Sequence, residues 1–175
     1  AATLGSSKLC DLPFFEEIKT NLKRLEMMDI ADPTLDREQL GRMVRYLHQL
    51  YEGFDPKDEV ITAWAHCDFT SWNMYVSEKA LHVYDWELAR EGMPLLYDVF
   101  HYLYQTGVLL LHQPYAKIKR ELLRAFRLPG MQVLLDRYGL EYERQYRLYL
   151  LHLVSYYLRI YMDEPQVHMQ VHWLL

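Results

Sequence analysis

The sequence predicts a mainly helical α+β lobe with a small insert of strands and loops. Apolar residues recur at helical spacing before and after the middle of the chain, whereas short apolar runs between polar turns occupy the middle itself. The length of 175 residues suits one domain or one large lobe, and an apolar fraction of 51% is sufficient for a core. We assign 1–58 to leading helices, 59–92 to the insert and 93–175 to a helical remainder.

The leading segment predicts two helices. Pro13 opens the first, and its apolar residues share one helical stripe: Phe14, Phe15, Ile18, Leu22 and Leu25. Ala31-Asp32-Pro33 ends this helix. Asp36 followed by Gln39 is typical of a capping box, so we expect the second helix to begin there and run to about Tyr51.

The insert predicts three short strands. The segment 60–65 is apolar and lies between polar turns, which is typical of a strand. The segments 74–76 and 81–84 flank Ser77-Glu78-Lys79-Ala80, which suits the turn of a hairpin.

Four helices are predicted after the insert. They cover about 95–111, 115–127, 131–138 and 141–162. Leu128-Pro129-Gly130 is predicted to end the second of them, and Gly139 to cap the third. One more short helical turn is expected after Pro165.

Composition excludes several function classes. The formal net charge of −5 argues against binding to a nucleic-acid backbone, which favours a basic face. The two cysteines, Cys10 and Cys67, form no disulfide framework, so we expect a reducing, cytoplasmic setting. The longest apolar stretch, around 148–161, contains His152 and Arg159 and falls short of the ~20 apolar residues that a membrane span needs.

The insert contains the sequence HCDFTSWN, from His66 to Asn73, followed by Asp85-Trp86-Glu87 after the last predicted strand. The spacing matches the catalytic loop H-R-D-L-x-x-x-N of protein kinases and the later D-F-G whose aspartate holds magnesium. Phosphoryl transfer needs a carboxylate that accepts or orients the proton of the acceptor hydroxyl, which Asp68 could supply. It also needs oxygen ligands for magnesium close by, which Asn73 and Asp85 could supply.

The same residues also have a purely structural interpretation. Asp68 and Asn73 could cap turns in a surface loop, and Asp85 could cap a helix, because Asp and Asn commonly do so. The coincidence of three positions with the intervening hairpin favours the catalytic interpretation.

HCDFTSWN followed by VYDWELAREGMPLLYDVFHYLY resembles the aminoglycoside phosphotransferase and choline kinase family, which has a protein-kinase-like fold. The resemblance implies the helical C-terminal catalytic lobe of that fold. It also implies roles for single residues: Asp68 as catalytic base, Asn73 and Asp85 as magnesium ligands, and His66 and Asp98 as supports of the loop. Trp86 and Glu87 fall in the metal-loop motif with less definite roles.

The resemblance implies an ATP- and Mg²⁺-dependent kinase that transfers the γ-phosphate to a hydroxyl of a sugar, an aminoglycoside or an amino alcohol. The leading residues contain no Gly-rich loop and no strand lysine of the kinase type. The segment 4–8 has one glycine and no flanking strand. We therefore expect the N-terminal nucleotide-binding lobe to be absent, in a fragment of a longer kinase or in a natural protein of one lobe. Its partner would be that lobe or, through the exposed face, a second copy.

The alternative function is a degenerate kinase-like module that binds a ligand or a partner without catalysis. The missing nucleotide-binding lobe motivates this alternative. Cys67 is a separate departure, because it replaces a glycine of the resembled pattern. The loop tolerates a cysteine unless this position requires a positive φ.

Overall fold

The structure of the protein, a computed structural model, describes residues 4–27 and 36–162. The described residues form a mainly helical α+β protein with six α-helices, a three-stranded sheet and a two-stranded hairpin. This confirms the predicted fold class. The chain divides into two units, a loop unit (Ala1–Ser6 and Val60–Tyr149) and a helical unit (Ser7–Glu59 and Leu150–Leu175).

The helical unit contains helices α1 (Pro13–Met27) and α2 (Arg37–Glu52). The predicted apolar stripe of α1 is buried: Phe14, Phe15, Ile18, Leu22 and Leu25. The side chain of Asp36 accepts hydrogen bonds from the backbone N–H groups of Glu38 and Gln39, so the predicted cap is present. Both predicted leading helices are confirmed, and the predicted break at 31–33 lies outside the described residues.

The strands of the insert form two small sheets. Strands β1 (Gly5–Lys8), β2 (Glu59–Ala65) and β5 (Arg90–Pro94) make a sheet of order β1-β2-β5. Strands β3 (Met74–Val76) and β4 (Leu81–Val83) form the predicted antiparallel hairpin. A backbone hydrogen bond of 2.9 Å from Ser77 N to Ala80 O closes its turn.

Sequence reasoning missed β1 and β5. The segments GSSK and REGMP lack the alternating β-branched and aromatic residues that favour strands, so pairing with β2 decides their conformation. The antiparallel register of β2 and β5 pairs Ala63 with Met93 and Ala65 with Arg90, with an irregularity between the two pairs. The predicted catalytic loop begins directly after this irregular end of β2.

The helices after the insert are α3 (Tyr97–Gln105), α4 (Tyr115–Phe126), α5 (Pro129–Tyr138) and α6 (Tyr142–Tyr161). The first is shorter than predicted, because a π-helical segment, Thr106–Leu110, replaces its last turns. Pro129 opens α5 instead of only ending α4, since proline suits the first turn of a helix. Gly139 caps α5 with φ 60°, as predicted.

The core of the loop unit is aromatic and is centred on Phe100 of α3. The Phe100 ring stacks on Phe126 with a centroid distance of 4.7 Å and on Tyr149 at 5.5 Å. Close packing also surrounds Gly107, which lies against the buried side chain of Ile118. This packing holds α3 firmly, and α3 carries the residues that contact the catalytic loop.

No helix within residues 4–27 and 36–162 is long and apolar enough to cross a membrane. The helical turn expected after Pro165 lies outside the described residues.

Candidate active site

The predicted catalytic loop joins β2 to β3. It ends in a single 3-10 turn, Ser71–Asn73, whose Asn73 N–H donates to Thr70 O at 3.1 Å. The Thr70 side chain is fully buried and its hydroxyl donates to Asp68 O at 3.3 Å. These local hydrogen bonds give the loop a defined backbone conformation.

The Asp98 side chain of α3 holds the start of the loop. One carboxylate oxygen accepts from His66 N at 2.7 Å, and the other accepts from Cys67 N at 3.0 Å. Hydrogen bonds to an ionised group are stronger than neutral ones, and here they satisfy two backbone donors at once. The loop is thereby attached to the first turn of a helix that is itself packed in the core.

Cys67 has a left-handed backbone conformation, with φ 64°. This is the conformation that glycine adopts without strain and that costs other residues about 1–2 kcal/mol. The position therefore requires the positive φ that a glycine would supply. The Cys67 backbone is strained, and its hydrogen bond to Asp98 helps to keep it in this conformation.

The His66 ring links the catalytic loop to the strand that precedes Asp85. Its Nε2 lies 2.8 Å from Tyr84 O, and its Nδ1 lies 3.3 Å from Asp68 N. Because a carbonyl can only accept and an N–H can only donate, the proton of the neutral ring is on Nε2. The ring is buried and lies 4.8 Å from the Trp86 ring, between centroids.

The carboxylate of Asp68 accepts a hydrogen bond at one oxygen and lies near a buried histidine at the other. Asn73 Nδ2 donates to Oδ2 at 2.8 Å and also to Asp68 O at 3.0 Å. The Nε2 atom of His101, on α3, lies 3.5 Å from Oδ1. The interaction with His101 lowers the pKa of Asp68 below its ordinary value; partial burial opposes the shift, and Asn73 adds to it. Asp68 is thus ionised at neutral pH, with 33% of its side chain exposed.

Asp85 lies directly after β4 and has a left-handed conformation, with φ 64°. Its side chain is exposed and makes no capping hydrogen bond to the 3-10 helix Trp86–Leu88 that follows. The backbone N–H of Tyr84 donates to Asn73 O at 3.1 Å, so Asn73 is bonded to the residue that precedes Asp85. The helix-capping interpretation of Asp85 therefore finds no hydrogen bond to support it.

The donor set fits magnesium in its usual nucleotide-bound form. Magnesium prefers oxygen ligands and often takes only one or two protein carboxylates, with phosphates and water completing its shell. The Asn73 amide nitrogen is used by Asp68, which leaves the amide oxygen, and Asp85 adds an exposed carboxylate. Among the described residues, no group of three or more His, Cys, Asp or Glu side chains could hold a metal by itself.

The two remaining predicted residues lie beside this site. The Trp86 ring nitrogen donates to Val83 O at 3.0 Å, and the ring is 56% exposed. Glu87 is exposed in the following turn. The structure thus places Trp86 against His66 and leaves Glu87 facing solvent.

Comparison of the chain with protein-family models, with curated proteins and with solved structures finds no match. The function is therefore inferred from the geometry of the loop and its surroundings.

An apolar groove of about 460 Å³ adjoins the loop at Phe69, the residue after Asp68. Its other walls come from α3, from the end of α4 and from the start of α5: Val99, Tyr102, Leu103, Ala125, Leu128, Gly130 and Met131. Almost none of the lining is polar, so buried hydroxyl or amino groups of a ligand would lose hydrogen bonds there. The groove suits an apolar portion of a ligand.

Sequence reasoning missed His101 altogether. The available signal was its place three residues after Asp98, since residues at that spacing share one face of a helix. A lone histidine in an apolar helix is usually a core residue, so the spacing alone did not single it out.

Proposed function

We propose that this chain is the catalytic lobe of a phosphotransferase that moves the γ-phosphate of ATP to a hydroxyl of a small molecule. The observation that carries the proposal is Asp68: an ionised, partly exposed carboxylate that accepts a hydrogen bond from Asn73, on a loop that Asp98 and His66 fix in place. This arrangement agrees with the H-x-D-x-x-x-x-N spacing and with Asp85 on the adjoining strand end.

In the proposed reaction the acceptor hydroxyl forms a bond to the γ-phosphorus while the bond to the ADP oxygen breaks. The hydroxyl proton passes to Asp68 and then to water. The lowered pKa of Asp68 makes it a weak base, so its first contribution is to orient the hydroxyl. Orientation of the acceptor hydroxyl matters more than removal of its proton, because the transition state of phosphoryl transfer is loose and the proton leaves late.

Asn73 and Asp85 are the residues that would hold magnesium. When bound, the ion neutralises charge on the phosphate oxygens. The protein's own contribution is to hold the Asn73 side chain and the backbone just before Asp85 close to Asp68. It does so through the amide hydrogen bond from Asn73 to Asp68 and the backbone hydrogen bond from Tyr84 to Asn73.

The acceptor would be a small molecule, with a sugar, an aminoglycoside and an amino alcohol as the candidate classes. The groove beside Phe69 favours an acceptor that has an apolar portion. The further partner in this proposal is a nucleotide-binding lobe or a second copy of the chain.

The second candidate is a kinase-like binding module without catalysis. Cys67 favours it, because a strained left-handed cysteine replaces glycine in the loop that must be positioned most accurately. An assay of phosphate transfer distinguishes the two candidates, because only the phosphotransferase transfers phosphate.

The test is transfer from γ-labelled MgATP, by the full-length protein that contains this lobe, to glucose, kanamycin, choline and ethanolamine. The proposal expects transfer to at least one of them and a loss of about 100-fold or more in Asp68→Asn, as for removal of a positioned base. Asp136→Asn, at an exposed site on α5, is the matched control and should keep full activity. Equal rates in wild type and Asp68→Asn would overturn the role of Asp68, and absence of transfer to every acceptor would favour the binding module.

A further inference from the structure

His101 is a buried histidine that the motifs leave without a role. Its side chain is 3% exposed, and its ring lies between two tyrosines. The Tyr97 ring is stacked on it with a centroid distance of 6.0 Å, and the Tyr149 ring meets it edge-on at 6.2 Å. Such packing shields the imidazole from water.

Neither ring nitrogen of His101 makes a well-aligned hydrogen bond with another residue of the described ranges. A buried polar group without a partner is costly and is rare in folded proteins, so this one calls for an explanation. The described polar atom that Nε2 approaches is Asp68 Oδ1, at 3.5 Å. The distance is at the long end of a hydrogen bond and shortens with a small movement of either side chain.

The position of His101 on α3 gives the contact a second support. Asp98 lies three residues earlier, on the same face of the helix, and its carboxylate holds the loop backbone at His66 and Cys67. One face of α3 therefore presents Asp98 to the backbone of the loop and His101 to the carboxylate of Asp68. His101 is fixed relative to the loop, because the loop is attached through Asp98 to the same turn of α3.

We propose that His101 is a positioning residue for Asp68, an inference that rests on the proposed phosphotransferase function. Its Nε2–H holds Oδ1 while Asn73 holds Oδ2, and the plane of the carboxylate is fixed between them. The lone pairs that remain on the exposed edge then face the acceptor hydroxyl.

The first test is spectroscopic and does not depend on catalysis. Nitrogen-15 NMR of the histidine rings in the full chain distinguishes a proton on Nε2 from one on Nδ1. The wild type should carry it on Nε2 of His101, and Asp68→Ala should shift the His101 signals towards a mixture of tautomers. A proton on Nδ1 in the wild type, or unchanged signals in Asp68→Ala, would overturn the inference whether or not the protein transfers phosphate.

The second test is kinetic and uses a matched pair of substitutions. His101→Gln places an amide N–H where Nε2 lies, whereas His101→Asn places one nearer Nδ1. On the acceptor found in the transfer assay, His101→Asn should lower kcat about 10-fold or more, and His101→Gln should restore most of it. The KM for MgATP should stay the same in both variants, because His101 acts on Asp68 alone.

Equal losses of kcat in the two variants would mean that His101 serves only to fill the core, and would overturn the inference. Thermal unfolding of both variants shows whether they are folded to the same extent. If neither variant folds, the NMR comparison still decides, because Asp68→Ala changes a partly exposed residue and leaves His101 intact. Absence of transfer by the wild type would overturn the proposed function, and the NMR result would separately settle the Asp68 contact.

Discussion

Replacement of Asp98 by asparagine tests how the catalytic loop is held. Its two carboxylate oxygens accept from His66 N at 2.7 Å and Cys67 N at 3.0 Å. An asparagine keeps one acceptor and turns its NH₂ group towards the other N–H, so one hydrogen bond is lost and the remaining one is no longer charge-assisted. At about 1.5–3 kcal/mol for each bond to a charged group, we expect a loss of about 2–3 kcal/mol.

The assay is urea unfolding combined with hydrogen exchange of the His66 and Cys67 amides. A loss of this size corresponds to exchange that is about 30- to 150-fold faster at these two amides. Asp136→Asn on α5 is the control, because that side chain is exposed, and it should change neither quantity. If Asp98→Asn changed unfolding by less than ~0.5 kcal/mol and left both amides protected, the loop would be held by something other than Asp98.

Three further predictions concern stability. Cys67→Gly should stabilise the protein by about 0.5–1 kcal/mol in urea unfolding, since relief of the left-handed strain at φ 64° exceeds the added freedom of the unfolded chain. Gly107→Ala should destabilise by about 1–3 kcal/mol in the same assay, because its Cβ would lie 2.6 Å from Cγ1 of buried Ile118. Burial raises the pKa of Tyr142 to about 12 from the ordinary 10.0, so stability falls as pH rises through that range, and Tyr142→Phe should reduce the fall.

Each of these predictions has a control in the chain. Cys10→Gly removes an exposed cysteine without relieving strain, so it should not stabilise the protein, and equal effects at both cysteines would refute the strain at Cys67. Gly130→Ala adds a Cβ with no atom within 4 Å and should be tolerated. Unfolding of wild type and Tyr142→Phe at neutral pH is the reference for the alkaline comparison. An alkaline fall that was identical in Tyr142→Phe and wild type would contradict the stated effect of burial.

The helices were predictable because their local signals agree with their environment. In α1, Pro13 and the spacing of the apolar residues predict a helix, and the same apolar residues are buried in the core. Strands β1 and β5 were not predictable, because their residues have no strand preference and pairing with β2 determines them. The π-helical end of α3 was missed for a similar reason, since the packing of Gly107 against Ile118 has no counterpart in local periodicity.

The residues of the candidate site could be named from spacing, but their partners could not. The motif identifies Asp68, Asn73 and Asp85 by number, because a short loop and a hairpin bring them close. The contact of His101 with Asp68 depends on how α3 packs against the loop, which joins residues far apart in sequence. The sequence indicates that a cysteine at position 67 is strained if the loop requires a positive φ there. It does not reveal that φ is positive, because the identity of a side chain does not determine φ.

Calorimetric titration of the full-length protein with MgATP, with the wild type beside Asp85→Ala, tests the central claim most directly. Asp85 carries an exposed carboxylate next to the loop, so its loss should abolish binding, whereas Glu78→Ala in the hairpin turn should leave binding intact. We expect binding by wild type and Glu78→Ala, and none by Asp85→Ala. Binding that survives Asp85→Ala, or no binding by the wild type, would contradict a magnesium–nucleotide site at this loop.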